Sequence, residues 1–188
     1  ATHTVYFERV APFPTALARF APSLRLEPIG PDMVERYQSL FRAVGQPWLW
    51  ISRLKINPSD LKMLLADDLI EAYALTDGQN DVGFIELDRR EPPGLEIRYL
   101  GLTPAHMNKG WGSALMHHAF ARAHALAVPT LWLHSCSFDA PQAFAFYQRH
   151  GFQAISHAVE IMDDPRLSGH YPPETAPHLP CIGDKRNR

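Results

Sequence analysis

The spacing of apolar residues along the chain alternates between a two-residue period and a three-to-four-residue period, and it predicts six strands and four helices. We expect strands at residues 24–29, 70–78, 81–90, 95–102, 129–137 and 152–161. We expect helices at residues 30–44, 58–67, 110–128 and 139–151. Three successive strands suit an antiparallel meander, whereas a helix between two strands implies a crossover and parallel pairing. The pattern therefore predicts a mixed α/β fold.

The last helix has the clearest boundary signals. Asp139 can cap its start, with Gln142 three residues later as a capping-box partner, and Gly151 stands where a C′ glycine belongs. The aromatic stretch at residues 46–56 fits neither a helix nor a strand pattern. We assign it no element.

Composition limits the classes of function. The chain has 188 residues, of which 46% are hydrophobic and 20% charged, as in a globular protein. A net charge of −2 gives no reason to expect nucleic acid or a membrane surface as a partner. No apolar run approaches the roughly 20 residues of a membrane span, and no signal peptide is visible, so we expect a cytoplasmic protein. Neither Cys136 nor Cys181 belongs to a CxxC pair, which argues against a metal site.

Many of the 17 prolines lie near the two ends of the chain. We therefore expect three regions. Residues 1–22 would be an extended N-terminal arm, residues 23–162 a single compact domain, and residues 163–188 a proline-rich C-terminal arm.

The stretch MNKGWGS, Met107–Ser113, begins the third predicted helix with two glycines one residue apart. Glycine costs a helix interior about 1 kcal/mol relative to alanine, so the pair needs a reason. Free N–H groups and the helix dipole favour an anion at a helix start, and Lys109 adds a positive charge. The stretch has neither the Gly-Lys-Ser/Thr of a Walker A loop nor a third dinucleotide-type glycine. It predicts a phosphate or pyrophosphate site, with close packing of the helix start as the alternative.

Two motifs resemble the GNAT superfamily, the Gcn5-related N-acetyltransferases. Residues 95–116 are similar to motif A of that superfamily, a strand followed by Gln/Arg-x-x-Gly-x-Gly/Ala at a helix start. The second pattern, Ala-x-x-x-Tyr-x-x-x-Gly-Phe, is carried here by Ala143, Tyr147, Gly151 and Phe152. The resemblance covers about residues 24–161. Met107 departs from it, because the motif has Gln or Arg there, and we expect a modestly weaker pyrophosphate site.

The resemblance implies a GNAT fold: a mixed, mostly antiparallel central sheet, flanked by helices and splayed between its fourth and fifth core strands. Acetyl-coenzyme A would bind in the V between these strands, and no metal is implied. The N–H of Leu100 matches the position that binds the thioester carbonyl and would act as the oxyanion donor. The implied cofactor-binding residues are Leu100, Gly101, Leu102, Asn108, Lys109, Gly110, Trp111, Gly112 and Ser113.

Glu96 is the candidate general base for the incoming amine. It lies six residues before Leu102, the spacing at which the histone-acetyltransferase branch places its catalytic Glu. The alternative is a strand carboxylate paired with Arg98 on the same face, which would lower its pKa and spoil a base. Glu86 and His134 are the substitutes for this role.

Tyr147 is the candidate general acid, because the leaving thiolate needs a proton and many GNAT proteins place a Tyr here. The alternative is a core aromatic side chain. On the acceptor side, Trp48, Trp50 and Arg53 could form an aromatic and cationic wall, with Glu86 and His134 also near the acceptor. Aromatic packing between helices is the alternative for that segment.

The resulting expectation is an N-acetyltransferase that moves an acetyl group from acetyl-coenzyme A directly to a primary amine of a small molecule. One alternative is a non-catalytic acyl-coenzyme A-binding sensor or interaction domain, which neutralisation of Glu96 by Arg98 would favour. Another is a nucleotide-binding α/β protein, against which the missing Walker residues argue. The acceptor, the acyl-chain preference and a homodimeric state stay open.

Overall fold

The computed structural model describes residues 1–14, 23–181 and 183. Seven strands form one sheet: β1 Thr2–Val10, β2 Arg25–Pro28, β3 Ile70–Thr76, β4 Asp81–Asp88, β5 Leu95–Leu102, β6 Thr130–Cys136 and β7 Gln153–Glu160. Four α-helices accompany them: α1 Val34–Gly45, α2 Pro58–Leu65, α3 Trp111–Ala125 and α4 Ala143–Arg149. Short 3-10 helices lie at Pro31–Met33, Gln46–Trp48 and Pro104–His106.

The order of strands in the sheet is β2-β3-β4-β5-β6-β1-β7. Only the β5–β6 pair is parallel, as the crossover helix between these strands requires. The predicted mixed and mostly antiparallel sheet is confirmed. One apolar cluster packs the sheet against α3 and includes Leu115, Met116 and Phe120, and a second packs it against α1 and α2.

The strands β5 and β6 separate soon after they meet. Their parallel pairing covers only Leu95 with Leu131 and Glu96 with Trp132. On the other side of β5, a β-bulge between Glu86 and Leu87 shifts the register of the β4–β5 pairing. Because β6 has no partner on this side beyond Trp132, a V opens between the two strands. They are the fourth and fifth strands of the predicted core, so the expected position of the split is confirmed.

The predicted N-terminal arm over residues 1–22 is wrong for residues 2–10. They form β1, which lies between β6 and β7 and is antiparallel to both. Both faces of this strand carry buried side chains: Thr2 and Thr4 on one, Val5 and Phe7 on the other. Buried threonines remove the apolar alternation that identifies a strand. Of the rest of the predicted arm, residues 15–22 lie outside the described residues.

The predicted capping role of Asp139 is wrong as well. The helix α4 begins at Ala143, and its N-cap Gln142 makes no side-chain capping hydrogen bond. The Asp139 carboxylate instead binds groups in and near the end of β6. At the other end of α4, Gly151 has the positive φ of 80° expected of a C′ glycine.

The C-terminal segment, residues 164–181, folds back onto the domain and is not extended. Tyr171 is 2% exposed and packs with Leu49 and Ile51. Buried Arg166 holds the segment together by donating to the carboxylate of Asp164 and to four backbone carbonyls, those of Thr175, Ala176, Leu179 and Pro180. The predicted arm at residues 182 and 184–188 lies outside the described residues.

Among the described residues, no helix combines the length and apolar character that crossing a membrane requires.

The contribution of β1 to stability can be measured with Phe7→Ala. Phe7 is 1% exposed, and its ring lies 5.3 Å from that of Phe144 and 5.8 Å from that of Tyr147. We expect the free energy of unfolding to fall by about 3–5 kcal/mol, measured by urea titration. Val10→Ala in the same strand is the control, because Val10 is 62% exposed. Equal losses in the two variants would contradict the burial of β1.

Candidate functional site

A cavity of about 310 Å³ lies beside the C-terminal half of β5, between the start of α3 and α4. Its lining includes most of the residues predicted for the site: Trp48, Trp50, Leu100, Gly101, Leu102, Asn108, Gly110, Gly112, Ser113 and Tyr147. Lys109, Trp111, Glu96, Arg53, Glu86 and His134 are not among the lining residues. The structure therefore brings the strand, the glycine-rich loop and α4 together around one space.

The glycines at the start of α3 face open space rather than packed side chains. Gly110 has φ 79°, and a Cβ built there would meet no atom within 4 Å. A Cβ on Gly112 would make only ordinary contact, 3.5 Å from Phe146. Asn108, with φ 62°, is also in the left-handed region, which asparagine tolerates better than most residues. Packing does not explain these glycines, so the alternative interpretation of the motif loses its support.

The start of α3 is free to receive an anion. Its N-cap Gly110 makes no side-chain capping bond, and the first turn carries no acidic residue. The first N–H groups of an uncapped helix have no intrahelical partner and favour negative charge. Lys109 lies beside this opening, with its ammonium 5.0 Å from the centre of the Trp111 ring, and Trp111 stacks on His106.

Glu96 lies on β5 and is 3% exposed. Its Oε1 accepts a hydrogen bond from Nη1 of Arg98 at 3.1 Å and lies 3.4 Å from Nδ1 of His134. Burial alone would lower the pKa of Arg98, but the charge and hydrogen bond of Glu96, together with Tyr99, raise that pKa. The expected same-face pair is therefore present. The side chain of His134 is 33% exposed, so it is the more accessible member of the group.

Glu86 and Arg53 bind each other outside the cavity. Glu86 is fully buried, and its carboxylate accepts hydrogen bonds from Arg53 and from the Tyr37 hydroxyl. Burial alone would lower the pKa of Arg53, but Glu86 outweighs it and raises that pKa. Burial, together with the Glu86 charge, raises the pKa of Tyr37. Arg53 also lies over the ring of Tyr99, 5.2 Å from its centre. Its charge is thus used within the protein rather than on the cavity wall.

Tyr147 lines the cavity from α4, and its ring packs among Phe7, Phe146 and Phe152. Burial, and secondly the charge of Asp139, raises the pKa of this phenol. The hydroxyl therefore keeps its proton through the neutral and mildly alkaline range. A protonated phenol at this place can donate a proton to a leaving group.

Sequence reasoning missed several lining residues, among them Val44, Met107, Asp139, Phe146 and Arg149. Asp139 is the most informative, because its carboxylate accepts hydrogen bonds both from Trp50, which lines the cavity, and from Ser135 in β6. Asp139 lies between a strand and a helix. An aspartate in that position is typical both of a helix cap and of a turn, so the sequence does not distinguish the two roles.

Comparison with protein families matches residues 69–154 to the acetyltransferase (GNAT) domain. Residues 69–154 are therefore assigned to a GNAT acetyltransferase domain. Comparison with curated proteins finds no match for the chain.

Solved structures share the fold of this GNAT domain. A functionally unknown conserved protein from Staphylococcus epidermidis superposes with a TM-score of 0.64 at 15% identity, over 83% of this chain and 59% of its own. An aminoglycoside acetyltransferase from an uncultured soil metagenomic sample gives 0.62 at 17% identity, over 74% of this chain and 98% of its own. A GCN5-related N-acetyltransferase from Sphaerobacter thermophilus gives a TM-score of 0.61 at 18% identity, over 83% of this chain and 49% of its own. The chain thus spans only about half to three fifths of two of these proteins.

The burial of the Glu86–Arg53 pair predicts a large loss of stability in Arg53→Met. Glu86 would remain fully buried without its cation, and we expect unfolding free energy to fall by about 3–5 kcal/mol in a urea titration. Lys62→Met is the control, because Lys62 and its partner Asp32 are both exposed. It should change stability by less than about 0.5 kcal/mol. A comparable effect of both variants would contradict the buried ion pair.

Proposed function

We propose that the protein transfers an acetyl group from acetyl-coenzyme A to a primary amine of a small molecule. The amine nitrogen attacks the thioester carbonyl, a C–N bond forms, and the C–S bond breaks. The attacking nitrogen loses a proton and the coenzyme A thiolate gains one, so no covalent enzyme intermediate is needed. The observation that carries this proposal is the uncapped, glycine-containing start of α3, which opens into the cavity lined by β5 and α4.

The cofactor would follow the V. Backbone groups at residues 100–102 would hold the pantetheine arm, with the Leu100 N–H donating to the thioester oxygen as it gains charge. The backbone at residues 108–113 would hold the pyrophosphate, chiefly through N–H groups other than that of Ser113, which donates to the Gly110 carbonyl. Open space above Gly110 supports this assignment, because a phosphate needs close approach to the backbone. Lys109 would add a positive charge, and Trp111 would lie at the outer side of the loop.

Glu96 would accept the proton of the amine together with His134. Glu96 is nearly inaccessible and bound to Arg98, whereas His134 is partly exposed and lies 3.4 Å from the same carboxylate. The acceptor or a water would therefore meet His134 first, and Glu96 would stabilise the imidazolium that forms. Glu86 is unsuited to the role, since Arg53 and Tyr37 already occupy its carboxylate.

Tyr147 would return a proton to the thiolate. Its raised pKa keeps the phenol protonated, which is the form that a general acid needs. Trp48 and Trp50 line the cavity and would form the aromatic wall on the acceptor side. Arg53 does not contribute to that wall, so the acceptor site has less positive charge than the sequence indicates.

One observation favours a second candidate, a non-catalytic acyl-coenzyme A-binding domain. Arg98 donates to both oxygens of Glu96, at 3.1 and 3.4 Å, so fewer acceptor positions of the carboxylate stay open to an incoming amine. Binding without turnover would identify this alternative.

Acetyl-coenzyme A binding can be tested with Gly110→Trp. An indole at Gly110 would fill the space proposed for the pyrophosphate, and we expect calorimetry to show affinity reduced by more than about tenfold. Gly169→Trp is the matched control: Gly169 has φ 78° and no neighbour within 4 Å, so its backbone strain is the same, but it does not line the cavity. A wild type that does not bind acetyl-coenzyme A would overturn the proposed function.

Turnover can be tested by thiol release from acetyl-coenzyme A with tryptamine, lysine, spermidine and kanamycin. With any amine that reacts, we expect Glu96→Gln and Tyr147→Phe each to lower kcat by about 100-fold, while acetyl-coenzyme A affinity stays within about twofold. His134→Ala should lower kcat as Glu96→Gln does. Tight binding with no release for any amine would favour the non-catalytic alternative.

A further inference from the structure

The carboxylate of Asp139 links the two sides of the cavity. Its Oδ1 accepts a hydrogen bond from the indole Nε1–H of Trp50 at 2.9 Å. Its Oδ2 accepts from the Ser135 hydroxyl at 2.7 Å and from the Cys136 backbone N–H at 2.9 Å. One side chain thus ties the end of β6 to the segment that follows α1. Since β5 and β6 do not pair here, this bond crosses the open part of the V.

Trp50 lies against the strand that would carry the thioester. A Cβ built on Gly101 of β5 would be 3.5 Å from Cη2 of Trp50, so the far edge of the indole covers the backbone at this position. The same ring lies 5.4 Å from that of Tyr99 and 5.9 Å from that of Phe41. Trp50 therefore forms a wall of the cavity next to residues 100–102, where the proposed function puts the reactive end of the cofactor.

The backbone of Trp50 is fixed by other contacts. Its N–H donates to the Gly45 carbonyl at 3.0 Å, and its own carbonyl accepts from the Tyr171 hydroxyl at 2.5 Å. Tyr171 belongs to the C-terminal segment, so that segment and the end of α1 both contribute to this anchor. With the backbone held, the bond to Asp139 is the polar contact that selects the orientation of the ring.

We propose that Asp139 is a positioning residue that holds the Trp50 indole against β5 as the wall that recognises the acetyl group. The proposal rests on the proposed function and adds a residue to it. Its consequence is selectivity: the protein should bind acetyl-coenzyme A more tightly than coenzyme A, because only the acetyl group reaches this wall.

A carboxylate is required because the indole N–H of Trp50 and the backbone N–H of Cys136 can only donate, and they meet different oxygens of Asp139. In Asp139→Asn, the single amide oxygen can face either Trp50 or the Ser135 and Cys136 side, and the NH₂ group then faces a donor on the other. The variant should keep the two bonds at the end of β6 and lose the bond to Trp50. Trp50→Phe removes the same bond from the other partner. Ser135→Ala, at a residue that does not line the cavity, removes one bond to Oδ2 and leaves the indole bond intact.

The test measures the affinities of acetyl-coenzyme A and coenzyme A by calorimetry for the wild type and these variants. We expect the wild type to prefer acetyl-coenzyme A, and Asp139→Asn and Trp50→Phe each to weaken acetyl-coenzyme A binding by about tenfold, as loss of one positioned hydrogen bond allows. Coenzyme A binding should change by less than about twofold. The double variant should be no weaker than either single variant, and Ser135→Ala should keep the preference.

A separate measurement needs no ligand. Hydrogen exchange of the Trp50 indole N–H, followed by NMR, should be slow in the wild type and in Ser135→Ala and faster in Asp139→Asn. A preference for acetyl-coenzyme A that survives in Asp139→Asn, or a wild type with no such preference, would overturn the inference and leave the proposed function standing. A wild type that binds neither molecule would overturn the proposed function itself.

Discussion

The short parallel ladder between β5 and β6 is the constraint on which the site depends. Only two residue pairs join the strands before they separate, and every other neighbouring pair in the sheet is antiparallel. An interrupted ladder inside a sheet leaves backbone donors and acceptors that must be satisfied by something other than a strand. In this domain the gap lies between an uncapped helix start and an aromatic wall. A ligand with amide groups along its length and a phosphate at one end would satisfy the unpaired backbone groups of the strand as well as the helix start.

The buried carboxylates of the strands β4 and β5 are each paired with an arginine. Glu86, Asp88 and Glu96 lie buried on neighbouring strands, and each is paired with an arginine: Arg53, Arg90 and Arg98 respectively. Such pairing avoids the large cost of an isolated buried charge. It also means that a carboxylate on this sheet is not automatically available for proton transfer. Glu96 differs from the other two because a histidine shares its carboxylate.

Local signals made most of the fold and the glycine loop predictable. The apolar periodicity located six strands and four helices, and the two glycines after Asn108 indicated an anion site from residues close in sequence. Contacts between distant residues were not predictable. Buried threonines hide the strand pattern of β1, Arg53 binds a partner 33 positions away, and Asp139 meets donors outside the helix that it precedes. A single sequence gives the propensity of a residue for a turn or cap, but not the donor that it will meet.

The position of β1 has a consequence for how the chain is made. Its two neighbours in the sheet, β6 and β7, begin about 120 and 140 residues later. Contacts of such long sequence separation form late, because the closure of a long loop must be compensated by many contacts at once. On the ribosome, the first strand has to wait with both edges unpaired until nearly the whole domain has emerged. The meander β2–β5 can assemble earlier, whereas α4, which lines the cavity, emerges only after α3 and β6.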